Sequence, residues 1–233
     1  MSSPSRSRVA ESPAPVREPL NRARIVAAAL AVLDADGLAA LSMRRVAREL
    51  DTGAMSLYRH VASREELLDL VLDELAAEIP VSPPSGSWRD DLAALARDVR
   101  VALLRRRDLT LLLTARLGQG PAALATLDRA LGIFLRAGFS PREAVLANHD
   151  LGAYVAGSCT WAAVGLGGEA NPSARAALAR DAGERIATLP PGAFPNVTAV
   201  ASDLFVGSAD ERFEHGLAAL LDGFAARLAD GAA

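Results

Sequence analysis

Lysine is missing from this 233-residue chain: all 25 basic side chains are arginine. With alanine so abundant, that bias reads as a high-GC coding preference rather than a functional choice. Cysteine occurs once, at Cys159, which excludes an internal disulfide and a multi-thiolate metal site. A lone thiol of this kind is expected to be buried and structural, with a redox sensor as the alternative. Only three histidines are present, His60, His149 and His215, and neither spaced metal ligands nor a phosphate-binding glycine loop accompanies them. His149–Asp150 beside Ser158 or Cys159 has the residue types of a nucleophilic site. Neighbours on a helix point about 100° apart, however, so Asp150 is badly placed to orient His149. No catalytic residue, metal or cofactor is assigned, and the chain is not expected to be an enzyme.

Long apolar runs are missing as well. The chain is 51% hydrophobic, yet Ile25 to Leu33, among its longest runs, falls far short of the roughly 20 residues of a membrane span. No cationic start leads into an apolar stretch and a small-residue cleavage site. The expectation is a soluble, cytoplasmic protein without a membrane partner. Alternating strand patterns of useful length are also absent, so the expected fold class is all-α.

Charge is present but uneven. The net charge is -3, which taken alone argues against nucleic acid. Residues 1 to 64 nevertheless hold ten Arg against six acidic residues, and the remainder holds fifteen against twenty-two. A basic head on an acidic body suits a DNA-reading unit joined to one that does not touch DNA.

Within the head, Ser42 can cap a short helix reaching Leu50, with Val46, Ala47 and Leu50 inward. Asp51-Thr52-Gly53 breaks the pattern, with Gly53 expected to supply the backbone freedom of the turn. A second short helix is expected from about Ala54 to His60, anchored by Leu57 and Val61. Two short helices joined by such a turn form a helix-turn-helix, whose second helix enters the major groove. Ala54, Met55 and Ser56 at its start permit close approach to bases. Tyr58, Arg59 and His60 can reach phosphates, and Arg44, Arg45 and Arg64 bracket the motif with positive charge. Ser42 stands at the same surface. The competing account is an ordinary helical hairpin with a solvated basic face.

The blocks Ile25–Leu30, Asp36-Gly37-Leu38, Leu41–Leu50, Ser56–Val61 and Arg64–Leu68 closely resemble, in content and spacing, the DNA-binding domain of the tetracycline-repressor (TetR) family. The resemblance covers Leu20 to Ile79. Family members often carry Gly where Asp51 stands, and Ala54 and Met55 replace more polar residues, so no operator sequence carries over. The resemblance implies a fourth helix, Ser63 to about Ile79, that joins head to body and swings to change the distance between two reading heads. The run Arg212 to Gly223 resembles the last helix of the family's C-terminal domain. There it packs with the helix corresponding to Pro141–Leu166 into a four-helix bundle across a twofold axis. The tetracycline repressors hold drug-bound magnesium through a His four residues before an Arg. With Arg116 at the Arg position, Leu112 stands where the His would be, and an apolar side chain cannot bind a hard cation.

Read in order, 1–19 is a Ser-, Pro- and Arg-rich arm without apolar period, expected to be disordered. Residues 20–79 form the helix-turn-helix unit, opened by a helix from Asn21 to Gly37. The segment 80–86, with Pro80, Pro83, Pro84 and Gly86, is the expected boundary. Residues 87–230 form the effector-binding and dimerisation unit. Its expected helices are 88–105, 108–116, 121–137, 141–166, 174–187 and 210–228, with a loop over 189–207. Ser63 with Glu66, and Ser140 with Glu143, are capping-box pairs. Gly152, Ala153, Ala156, Gly157, Gly216 and Gly223 would permit close helix approach between subunits. Pocket candidates are Thr110, Thr114, Arg116, Asn148, His149, Tyr154, Ser158 and Trp161. The function expected is a homodimeric repressor released from a palindromic double-stranded DNA operator by an unidentified small molecule. The alternative is a helical dimeric adaptor whose basic head binds another acidic macromolecule.

Overall fold

The computed structural model describes residues 19–105, 120–163, 172–190, 192–204 and 207–231. All regular structure among them is helical. Helix α1, Arg22–Asp36, starts where the Asn21 side chain accepts from the Arg24 N–H at 2.9 Å. It stops at Gly37, whose φ of 74° suits glycine and whose N–H returns to the Leu33 carbonyl. A 3-10 turn, Leu38–Ala40, leads to Ser42, which caps α2, Met43–Glu49. Helix α3, Ala54–Leu57, is a single turn, and α4 spans Arg64–Ala77. Ile25, Ala29, Val32, Val46, Leu57, Val61, Leu67 and Val71 converge in one core with essentially no exposure.

The turn between α2 and α3 differs from expectation. Gly53 sits at φ −80°, ψ 143°, open to any residue, and caps α3. The left-handed position is Asp51, at φ 48°. Short polar residues tolerate that conformation better than most, because the side chain can satisfy local backbone groups. The second helix is also shorter than expected. Residues 58–60 continue as turns, with the His60 and Val61 N–H groups both returning to the Leu57 carbonyl.

The body is built on α5, Trp88–Arg105; α6, Pro121–Ala137; α7, Pro141–Ala163; and α10, Ala209–Gly231. Its core centres on Phe134, which meets Phe139 and Phe224 edge to face at 5.3 and 5.5 Å; Trp88 meets Phe139 in the same way. Such pairs contribute about 0.5–1.5 kcal/mol each beyond burial. Between α7 and α10 lie α8, Pro172–Ala187, and α9, Pro195–Ala199. The single turn α9 interrupts the segment expected to be loop throughout. The helix expected over 108–116 lies outside the described residues. No helix of the described residues is long and apolar enough to cross a membrane.

Head and body meet where α4 crosses the start of α6. Asp73 on α4 accepts from the N–H groups of Ala122 and Ala123 at 2.9 and 3.0 Å, so one unit caps a helix of the other. Gly120 leaves room for that carboxylate, since a Cβ there would collide with it. Arg129 reaches the Pro80 carbonyl, and Arg105 pairs with Glu78 at 3.8 Å.

Candidate nucleic-acid interface

The surface around α3 is set by Leu57, which is fully buried and fixes the helix's rotation. Met55 lies two residues earlier, about 200° around the helix, and is 78% exposed. Ala54 and Ser56 flank it half-buried, while Tyr58 and Arg59 are exposed and His60 is half-buried. Of the residues expected to approach DNA on this segment, Met55, Tyr58 and Arg59 are thus the exposed ones.

The arginines divide into two groups. Arg22 donates from Nε to the His60 carbonyl at 2.9 Å and pairs with Glu66 at 2.8 Å, tying the end of the reading segment to α1 and α4. Glu66 also accepts from the Ala62 N–H, while the Ser63 hydroxyl accepts from the Glu66 N–H. The capping box thus closes one residue ahead of its usual return point. Arg64 donates from Nε to the Leu41 carbonyl at 2.9 Å. Arg45 pairs with Asp36 and Glu49 at 2.8 and 2.7 Å, and hydrogen bonds to Glu49 first and then Asp36 hold its guanidinium more firmly protonated than usual. By contrast, Arg44, Arg48 and Arg59 are exposed and have no carboxylate partner among the described residues. Two of the arginines expected at DNA, Arg45 and Arg64, are thus occupied within the head. Arg48 was not among the expected contacts, although its i, i+4 spacing from Arg44 puts both on one face of α2. Ser42 is exposed beside them, its hydroxyl accepting from the Arg45 N–H.

The described pocket candidates of the body all lie on α7. Tyr154 stacks on Phe213 at 5.7 Å and donates its hydroxyl to the Phe213 carbonyl at 2.7 Å; burial raises its pKa. Its ring fills the space beside Gly216, where a Cβ would collide with the phenol. Gly216 therefore serves a contact between α7 and α10 within the chain. Ser158 donates to the Val155 carbonyl one turn back. Trp161 is 80% exposed, His149 is exposed and Asn148 is half-buried. Thr110, Thr114 and Arg116, with Leu112, lie outside the described residues. Close by, Arg100 is buried, pairs with Asp210 at 2.8 Å and lies over the Phe213 ring. Cys159 is buried against it, and desolvation pushes its thiol pKa up, as suits a structural cysteine. A cavity of about 430 Å³ opens under the interdomain linker between Pro84, Asp91, Arg129 and Arg136. None of the described pocket candidates lines it.

Residues 25–71 match the family described as bacterial regulatory proteins, tetR family, and residues 79–228 match the tetracyclin repressor-like C-terminal domain. The chain belongs to the TetR family. TetR-family proteins are transcriptional regulators, not enzymes. It is 42% identical over 138 residues to the HTH-type transcriptional repressor DrrR1 of Streptomyces coeruleorubidus, covering 58% of this chain and 51% of that protein. The chain thus spans about half the length of that TetR-family relative. Against the class A tetracycline repressor of Escherichia coli it is 32% identical over 211 residues, covering 87% of this chain and 89% of the other. Among solved TetR-family structures, apo ActR of Streptomyces coelicolor superposes with a TM-score of 0.81 at 33% identity, covering 93% of this chain and all of ActR. ActR has also been solved with actinorhodin.

Proposed function

We propose that this chain is a homodimeric repressor that binds a palindromic operator and is released by a small organic effector. Residues 20–79 read DNA, and residues 87–230 bind the effector and dimerise, in the cytoplasm where the operator is. The observation that carries this reading is that three exposed arginines, Arg44 and Arg48 on α2 and Arg59 just after α3, have no carboxylate partner among the described residues. Exposed charged donors without a partner in the fold are available to phosphates. Ser42, Tyr58 and His60 add backbone contacts, and Ala54, Met55 and Ser56 meet base edges. Arg45 and Arg64 hold that surface in shape.

Dimerisation is supported by outward small residues on α7 and α10. Gly152, Ala153 and Gly157 on α7 and Gly223 on α10 are exposed, and a Cβ on any of these three glycines would meet nothing of the chain. Two reading heads on a twofold axis match an operator of two half-sites. An effector shifts such a regulator only by binding the state with misplaced heads more tightly. Asp73, Glu78 and Pro80 give that shift a route, since each ties the α4 end of the head to α5 or α6.

Fluorescence anisotropy of the purified protein on DNA flanking its own gene, with unrelated DNA as competitor, tests the reading. Specific binding that falls steeply with salt is expected. If a genome-wide binding selection also enriches no sequence, with or without cell extract, the repressor assignment is wrong.

A further inference from the structure

We infer that Met55 is a specificity-determining residue that reads the C5-methyl group of a thymine in each operator half-site. The inference rests on the DNA-binding reading above and deepens it. Its ground is what the tip of α3 lacks. Guanine and adenine are singled out in the major groove by bidentate pairs from Arg, Lys, Asn or Gln, and cytosine by a carboxylate. Residues 53–57 are Gly, Ala, Met, Ser and Leu, and none of them can form such a pair. Leu57 is buried, Ala54 is small and half-buried, and Gly53 has no side chain. The vocabulary left to this segment is the Ser56 hydroxyl, which accepts or donates to any base, and the Met55 thioether chain.

Met55 is also the most exposed large apolar side chain among the described residues of the head. It is 78% exposed, opposite the buried Leu57 anchor, and even a Cβ added at the nearby Gly53 would meet nothing of the chain within 4 Å. Its unbranched side chain adapts to a surface it meets, and the one strongly apolar feature on the floor of the major groove is the thymine methyl. An exposed methionine elsewhere on a surface needs no explanation. Here it sits at the tip of the helix that the rest of the head is braced to present.

The test begins with selection of binding sites from random duplex DNA by the full-length protein. Each thymine of the enriched half-site is then replaced by deoxyuridine, which removes the methyl and nothing else. Wild-type protein is expected to lose about three- to fivefold in affinity at one or two such positions, the scale of one buried methyl. Met55→Ala is expected to bind more weakly and to be indifferent to uridine at those same positions. Met55→Leu is expected to keep the sensitivity, showing that apolar bulk is what matters. Wild-type indifference to uridine at every thymine overturns the inference while leaving DNA binding intact, as does equal uridine sensitivity in Met55→Ala. Failure to enrich any sequence overturns the DNA-binding reading itself.

Discussion

Head and body use the same residue type in two ways. In the body, arginines cross from one element to another: Arg89 to Asp222, Arg97 to Glu214, Arg100 to Asp210 and Arg227 to Asp150. In the head, Arg22, Arg45 and Arg64 do the same, while Arg44, Arg48 and Arg59 face outward without a carboxylate partner among the described residues. Within the head, a brace and a charge offered to DNA are thus distinguished by partner, not by composition. The head is basic where it is unpaired.

The largest stability effect is expected at the α7–α10 contact. Gly216→Ala forces the Tyr154 ring out of its place and is expected to destabilise the body by about 1–3 kcal/mol, read by denaturant unfolding. An unchanged midpoint would show that the Tyr154 contact is dispensable. Asp73→Ala removes the cap that the head places on α6 and is expected to cost about 1 kcal/mol. It is also expected to separate the unfolding of the two units, as measured by calorimetry. A single undiminished transition would mean that the joint lies elsewhere.

How much of this is legible in sequence follows from range. Caps formed within four residues are visible: Asn21, Ser42 and Ser63 each accept the N–H bond their positions imply, and Ser140 with Glu143 closes a full box. The periodic apolar faces of α1, α4 and α10 are visible for the same reason. The role of Asp73 is not, because its partners lie 49 and 50 residues away. Nor is the division of the arginines: Arg64 finds its acceptor 23 residues back. Asp51 is hidden by Gly53 two residues away, because glycine is the stronger cue for a left-handed turn. Arg48 lies within reach of the i, i+4 rule from Arg44, yet its charge alone does not separate it from Arg45.

Arg64→Ala is expected to lower head stability by about 1 kcal/mol, the scale of a hydrogen bond from a charged donor, with operator affinity falling only in proportion to the folded fraction. Smallest is a pH effect. The Ser85 N–H holds the Asp91 carboxylate below its usual pKa, the Ser140 hydroxyl does so for Glu143, and the Arg97 guanidinium does so for Glu214. A depressed folded-state pKa contributes stability above the unfolded pKa that is lost as the pH falls through the folded value. Melting temperature should therefore fall below about pH 4, and less so in Asp91→Asn.

The most direct measurement is the salt dependence of operator affinity for wild type, for the triple variant Arg44→Ala, Arg48→Ala, Arg59→Ala, and for Arg45→Ala. The triple variant is expected to keep its melting temperature and to lose affinity, with the slope of log affinity against log salt flatter by about one per phosphate contact removed. Arg45→Ala is expected to lose stability while keeping the wild-type slope. If the slopes come out the other way round, with Arg45 steering the salt response and the triple variant unaltered, the division of the head's arginines into braces and DNA contacts is wrong.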